Sequence, residues 1–339
     1  HDVEIHVALL REEGALRDRM RRCARMHPLE VGHGRLRALR LARALRKIVQ
    51  KNSPDVVYTH DIFSNYIAAA ALVGMQRHRF VTSWRWTTVD TRLRHRLAVL
   101  AARRSDRVVV NALALIPQLT RYGVAADRVR KVANIIEPEM FVRSTPAECA
   151  AWRASLGVPP ETVVVMCAGR LQHLKGQDIA IAAWQALPAG LRARATLVFA
   201  GDGEDRKVLQ EQASAGADAE RIRFTGAYGT PPNVFACADL CLLPSRSEGM
   251  PNTLLEAAAA AVPGVATDVG GVAEVAAGSD NGILVCPAND PRALAGVLAA
   301  AIDDNAWRVA ASKSVSAYVA REHARAAVRG QLEAVLFGS

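Results

Sequence analysis

The sequence predicts an α/β protein built from two doubly wound, parallel-sheet domains, and three observations carry that prediction. Short apolar runs alternate with helix-periodic stretches along almost the whole chain, the pattern of parallel strands joined by helices. The alternation breaks after residue 143 in a polar stretch holding Pro146, Pro159 and Pro160, then restarts, as across a linker. The charge changes at the same place: residues 1–142 carry 26 Lys+Arg against 13 Asp+Glu, the remainder 17 against 20. With 339 residues, half of them hydrophobic, the chain is long enough for two ordinary domains and apolar enough to pack both.

In the front half, VEIHVALL (3–10) alternates as a strand does. GRLRALRLARALRKIVQ (34–50) reads as a helix with Leu36, Leu39, Leu45 and Ile48/Val49 on one side and arginines elsewhere. DVVYTH (55–60), RFVTSW (79–84) and DRVVVN (106–111) are further strands, followed by RKVAN (130–134). A doubly wound domain opens with a strand, a turn and a helix, whereas HDVEIHV reads as the second strand of such a unit. A preceding βα unit of roughly 25 residues is therefore expected, and the chain reads as shortened at its N-terminus.

The rear half supplies TVVVMCAGR (162–170), ATLVFAGDG (195–203), RIRFTG (221–226), DLCLLPS (239–245), VPGVATDVGG (262–271) and NGILVCP (281–287), each a strand running into turn residues. Helical stretches lie between them, such as 176–188 and 204–215, and 306–336 reads as closing helix. The expected divisions are a front domain at 1–143, a rear domain at 144–320, and a terminal helix at 321–339 that packs back toward the front.

Several classes are excluded. No apolar run approaches the roughly 20 residues that span a bilayer, and the first residues read as a strand rather than a leader. The six cysteines (Cys23, Cys149, Cys167, Cys237, Cys241, Cys286) lack metal-type pairing and read as reduced core thiols, so a cytoplasmic setting is expected. The basic front half shows no aromatic–basic interleaving and no nucleic-acid motif, so nucleic acid is not an expected partner. An anionic membrane or an acidic substrate fits that charge instead.

The chemistry concentrates at strand ends of the rear half, where open α/β sheets bind ligands. AGRLQHLKG offers Arg170 and Lys175, and GDGED offers a tight turn at Gly201. SRSEGMPNTLLEAAAAAVPG offers a helix start with Asn252 and Thr253. A helix N-terminus seats phosphate through free N–H groups and partial positive charge. Arginine adds a bidentate fork and lysine a point charge, which together describe a diphosphate site. No Asp-x-Asp or His/Asp cluster suggests a divalent ion. Glu248 stands just ahead of this helix and Glu256 about a turn and a half inside it, roughly 6–8 Å along the axis. A buried carboxylate without a partner costs several kcal/mol. The two acids instead suit hydroxyls on either side of a diphosphate, a sugar at one end and a ribose at the other: a nucleotide sugar.

PSRSEGMPNTLLEAAAAAVPGVATDVGGVAE resembles the Glu-x7-Glu region of the retaining GT-B glycosyltransferases of family 4, also called glycosyl transferases group 1. CAGRLQHLKG, LVFAGDGEDR, RIRFTG and ADLCLLPS resemble that family's other motifs, in order, over about residues 163–275. The front half matches more loosely, through HDVEIHVALL, PDVVYTH and RVRKVANIIEPEMF. The resemblance implies a GT-B fold, two Rossmann-like domains facing across a cleft, the rear holding the nucleotide sugar and the front the acceptor. It implies that Arg170 and Lys175 stabilise the leaving diphosphate and that Glu248, with the Gly249–Met250 backbone, holds the donor sugar. Glu256 would take the ribose, and the Arg223–Phe224 backbone would lie near the base. It also implies retention of anomeric configuration and no cofactor or metal. Three features depart from the family: Trp84 and then Arg85 stand where a strand-end histidine is frequent, Asn134-Ile135 replaces the usual Asn-Gly, and the N-terminal glycine-rich loop is absent.

Alternatives stand beside these readings. Glu248 and Glu256 also read as salt-bridged surface acids, and Arg170 and Lys175 as solvated loop charges. His60 is equally a structural residue or an acceptor-facing one, with Trp84 and Arg85 its companions on the acceptor side. Trp84 and Trp86 read more readily as packing residues, and Glu274 as a brace for its own loop. The basic helix at 34–51 is either a solvated face or a patch for anionic lipid, which would suit a lipid-linked acceptor and a peripheral position at the inner face of a membrane. The expected function is metal-free, retaining transfer of a sugar to a glycan, lipid-linked or cell-envelope acceptor. The rival readings are another GT-B sugar-nucleotide enzyme, an epimerase or sugar-phosphate synthase, or a non-catalytic sugar-nucleotide binder.

Overall fold

The structure is a computed structural model that describes residues 3–9, 17–29, 34, 36–85, 92–137, 139, 141–216, 218–227 and 234–338. The front half runs β1 (His6–Leu9), α1 (Arg17–Arg21), β2 (Arg25–Pro28), α2 (Arg37–Asn52), β3 (Val56–Thr59) and α3 (Ile62–Ala71). It continues through β4 (Arg79–Trp84), α4 (Arg92–Arg104), β5 (Arg107–Val110), α5 (Ile116–Arg121) and β6 (Val129–Lys131). Strands β3-β4-β5-β6 form one parallel sheet in that order, and β1 and β2 pair in a separate parallel sheet of two.

The rear half opens with α6 (Pro146–Ser155), whose start is fixed by Pro146 and by a reciprocal capping box between Thr145 and Glu148. Then follow β7 (Val163–Ala168), α7 (Gln177–Ala186), α8 (Ala189–Ala193), β8 (Ala195–Ala200), α9 (Arg206–Ser214) and β9 (Ile222–Gly226). The chain goes on through β10 (Leu240–Leu243), α10 (Asn252–Ala259), β11 (Gly264–Thr267), α11 (Val272–Gly278), β12 (Ile283–Cys286) and α12 (Pro291–Asp303). These strands make a six-stranded parallel sheet in the order β12-β11-β10-β7-β8-β9. Strands β8, β10 and β11 are buried along their whole length, as strands covered by helices on both faces must be. Two Rossmann-like domains result.

The last two helices, α13 (Asn305–Glu322) and α14 (Arg325–Phe337), replace the single closing helix expected from 306–336. The break falls at His323, which is fully buried and hydrogen-bonds the Asn134 carbonyl through Nδ1 (2.8 Å). Helix α14 then lies on the front sheet, with Val328 and Val335 against Val81, Val109 and Val132. Arg79 donates to the carbonyls of Leu336 and Gly338 (3.0 and 2.6 Å), pinning the chain's end to β4. The rear domain thus returns its last helix to the front one.

Two expectations are corrected. Cys149 on α6 and Cys237, just ahead of β10, form a disulfide with their Cα atoms 5.2 Å apart, while Cys167, Cys241 and Cys286 are buried thiols. The cysteines therefore carry no argument for a reducing compartment. On α2 the buried side holds Leu41, Ala42 and Val49, whereas Leu36 and Leu39 are exposed. Leu39 and Leu41 are two residues, about 200°, apart on a helix and cannot share a face. Among the described residues no helix is long and apolar enough to cross a membrane.

Candidate functional site

The rear sheet reverses its direction of growth between β7 and β10, so the loops leaving those two strands part and open a crevice at their carboxyl ends. Arg170 and Lys175 ride on the loop after β7, and Glu248 to Thr253 on the one after β10. Glycine sets how closely these loops pack. Gly176 lies in the left-handed region (φ +67°), and a Cβ there would come within 2.0 Å of the Pro244 carbonyl. A Cβ on Gly249 would come within 2.3 Å of the Arg85 carbonyl, so this glycine lets the rear loop touch the front domain.

The acids and bases of the two loops meet. Lys175 Nζ donates to Glu248 Oε1 (2.7 Å), and the hydroxyl of fully buried Ser245 donates to the same oxygen (2.7 Å). Glu248 Oε2 keeps its lone pairs among the described residues. A second pair fixes the loops from behind. Arg246 forks onto Asp178 at the start of α7 (2.8 and 2.6 Å) and donates to the His173 carbonyl (2.7 Å). Burial raises the Asp178 pKa, but the Arg246 fork and the Ile179 amide outweigh it and hold the carboxyl below its ordinary value. Gln177, buried, donates to the Arg170 carbonyl (2.9 Å). Arg170's own guanidinium is exposed and makes no bond among the described residues.

Helix α10 starts at Asn252, one residue past Pro251, which stands at the cap rather than in the first turn. No side chain caps it, so the Asn252 and Thr253 amides stay open to an anion. Met250, Leu254, Leu255, Ala257 and Ala258 are buried beneath. Glu256 is half-buried among them with no partner among the described residues, and that desolvation raises its pKa above the ordinary carboxyl value. The remaining rear candidates take other places. Gly201 (φ +149°) pairs with Gly226 at the ends of β8 and β9. Arg223 sends its guanidinium to the Leu156 and Gly157 carbonyls (2.7 and 3.3 Å), and Phe224 stacks on Phe199 (4.9 Å).

The front strands end against the same crevice. Buried Asn65 on α3 accepts from Thr59 Oγ1 (2.6 Å) and donates to the Ser83 carbonyl (2.8 Å), which locks the ends of β3 and β4 where His60 and Arg85 sit. His60 is exposed on one side and crowded on the other; that crowding, and then the charge of Arg85, lower its pKa. The acceptor-side placing of Trp84 is corrected and its packing reading stands: at 1 % exposure it packs with His95 and Tyr122 (6.1 Å each) and has no face for an acceptor. Trp86 lies outside the described residues. Arg85 donates to Ser83 Oγ (3.1 Å) and Asn134 Oδ1 (3.3 Å), Asn111 donates to Asn134 Oδ1 (3.4 Å), and Asn134 donates to Asn252 Oδ1 (2.6 Å). Glu274 does not brace its own loop: its carboxylate crosses to the front domain, accepting from the Leu113 amide (2.9 Å) and pairing with Lys131.

Sequence reasoning missed Asn111, Ser245, Arg246 with Asp178, and the reach of Glu274. Asn111 carried a signal, a polar residue at the end of the apolar run RVVV; the others are tertiary pairings with no local pattern. Chemically the crevice offers two cations and two open amides to a diphosphate, with one carboxylate on each side of them.

Comparisons with known proteins agree with this layout. Residues 162–304 match the family model "Glycosyl transferases group 1", and residues 1–140 match "Glycosyltransferase Family 4". The D-inositol 3-phosphate glycosyltransferase of Saccharomonospora viridis is 36% identical over 236 residues, 65% of this chain and 52% of that protein. The lipopolysaccharide core biosynthesis mannosyltransferase LpsB of Rhizobium meliloti is 34% identical over 171 residues, 47% of each. The chain thus spans about half the length of these curated relatives. The crystal structure of Anabaena HepE in complex with UDP superposes with a TM-score of 0.82 at 21% identity, covering 98% of this chain and 91% of that one.

Proposed function

The chain belongs to the GT-B glycosyltransferases, and from that premise we propose that it transfers a sugar from a nucleotide-sugar donor to an envelope glycan or lipid-linked acceptor, with retention and without a metal. One observation carries the donor side: Glu256, half-buried and without a partner among the described residues, stands just over a turn beyond the uncapped start of α10. A ribose there satisfies it. The diphosphate then sits on the Asn252 and Thr253 amides with Lys175 and Arg170, and Glu248 Oε2 accepts from a donor-sugar hydroxyl. HepE, similar in fold, is recorded with UDP, which supports a nucleotide in this crevice.

Cleavage of the anomeric C–O bond leaves an oxocarbenium-like sugar and puts the electron pair on the departing phosphate. Lys175, Arg170 and the helix dipole stabilise that charge where it develops, which supports transfer without a metal. The acceptor oxygen attacks from the face the phosphate leaves, and the phosphate oxygen takes the acceptor's proton. Glu248 orients Lys175 as well as the sugar, because one carboxylate oxygen serves each. The acceptor class rests on the names of the inositol-phosphate and lipopolysaccharide-core relatives. A peripheral position on an anionic membrane is supported by α2, where Arg40, Arg43 and Lys47 are exposed beside Leu36 and Leu39.

Thermal unfolding against a panel of nucleotide sugars tests the donor site. At least one donor should raise Tm, and Glu256→Ala should lose most of that shift. No shift with any donor, with wild type and variant alike, sinks the assignment. The anomeric coupling constant of the product by NMR decides retention.

A further inference from the structure

One cation at the crevice has no role in the transfer just described. Arg85 is half-buried, and both of its side-chain bonds go to neutral oxygens, Ser83 Oγ at 3.1 Å and Asn134 Oδ1 at 3.3 Å. It makes no ion pair among the described residues; half-buried Arg79 and Arg223 make none there either, but each spends its donors on backbone carbonyls, while Arg153, Arg192 and Arg246 hold a carboxylate. A guanidinium partly withdrawn from water without a counter-charge is unfavourable, and an anionic oxygen group matching its fork offsets that cost.

Its setting is built rather than incidental. Asn65 ties β3 to β4 directly beneath it. Beside it Asn111, 5 % exposed, donates to the same Asn134 Oδ1 (3.4 Å), and its own buried Oδ1 lies 3.7 Å from where a Gly249 side chain would begin. The donor diphosphate does not account for Arg85. A hydrogen-bond chain through Asn134 and Asn252 links its guanidinium to the exposed start of α10, so it already has neutral partners on the donor side. The rear domain also has its own cations for the phosphates.

We propose that Arg85 binds an anionic oxygen group, a phosphate or a carboxylate, carried by the acceptor. The acceptor class is then an acidic sugar or a sugar or polyol phosphate. This rests on the reading of the crevice as a glycosyl-transfer site.

Calorimetric titration separates the two ideas. UDP and GDP are first titrated into wild type and Arg85→Gln; glucose 6-phosphate, glucuronate and glucose are then titrated into each protein, with the tighter nucleotide and without it. One anionic probe should bind wild type at least tenfold tighter than glucose, glucose 6-phosphate pointing to a phosphate and glucuronate to a carboxylate. Arg85→Gln should erase that advantage, Arg85→Lys should keep part of it, and nucleotide affinity should change less than twofold. Three probes that bind alike, or not at all, overturn the proposal. So does a loss of nucleotide affinity in Arg85→Gln, which would give the guanidinium to the donor. Failure of both nucleotides on wild type overturns the donor-site reading instead, and the titrations without nucleotide still decide Arg85.

Discussion

Two clusters of strand-end residues face each other in this molecule, and they are finished to different degrees. In the rear cluster the bonds are short and charged: Lys175 to Glu248 at 2.7 Å, Arg246 to Asp178 at 2.6 and 2.8 Å. In the front cluster they are longer, 3.1 to 3.4 Å between Arg85, Ser83, Asn111 and Asn134, and none of them joins two charged groups. Charge-assisted bonds are the shorter and stronger kind, so the rear loops are held in place before any ligand arrives. The front residues sit on a pinned scaffold, and Arg85 holds no carboxylate there among the described residues. A preorganised rear site suits the demanding part, stabilising charge on a leaving phosphate, and a front site whose cation holds no carboxylate suits an acceptor.

The largest effect should come from the rear cluster's centre. Lys175→Ala should lower kcat/KM by about 10²–10³, with acceptor KM little changed, in steady-state assays. An effect confined to acceptor KM would reverse the roles given to the two clusters. Next comes the brace behind it. Arg246→Ala frees the loop that carries Lys175 and should cost about tenfold in kcat/KM, but only about 1 kcal/mol in stability by chemical denaturation, since Asp178 is well solvated. Equal losses in both would make Arg246 a plain stability residue.

Glu274 joins the clusters. Glu274→Ala removes its bonds to Lys131 and the Leu113 amide and should lower kcat a few-fold while nucleotide affinity by calorimetry stays within about twofold. The smallest effect should come from Glu256→Gln. Burial raises the Glu256 pKa, so its stabilising contribution is complete below the ordinary carboxyl range and is lost as pH rises through the raised value. Glutamine removes that loss, so the ligand-free variant should melt about a degree or two higher at pH 8, with no difference at pH 4. Its affinity for the nucleotide should fall about fivefold, because a charged acceptor is exchanged for a neutral one. A variant that melts lower at pH 8 would mean that Glu256 has a structural partner.

The sequence made the two clusters unequally legible as well. Rear strands such as VVVMCA and ATLVFA are apolar but for Thr196 and stop at glycine, so β7 and β8 and the loops after them could be read directly. Glu256 stood out because a carboxylate interrupts an apolar helix. The front residues gave less: Trp84 is the last residue of β4 and Arg85 the first beyond it, and no local pattern says which of them enters the core. The break at His323 has no glycine or proline to mark it and follows from a bond to Asn134, 189 residues away. Cys149 and Cys237 are 88 positions apart, and neither has a spacing that announces the other. What depended on local pattern was readable, and what depended on distant pairing was not.

The central claim is that Glu248 and Glu256 grip opposite ends of one nucleotide sugar laid over the start of α10. A crystal structure with an intact donor tests it most directly. The account predicts the phosphates on the Asn252 and Thr253 amides with Lys175 and Arg170 beside them, the ribose hydroxyls on Glu256, and the sugar on Glu248. A donor whose phosphates lie away from the α10 N-terminus, or whose ribose leaves Glu256 without a partner, would contradict it.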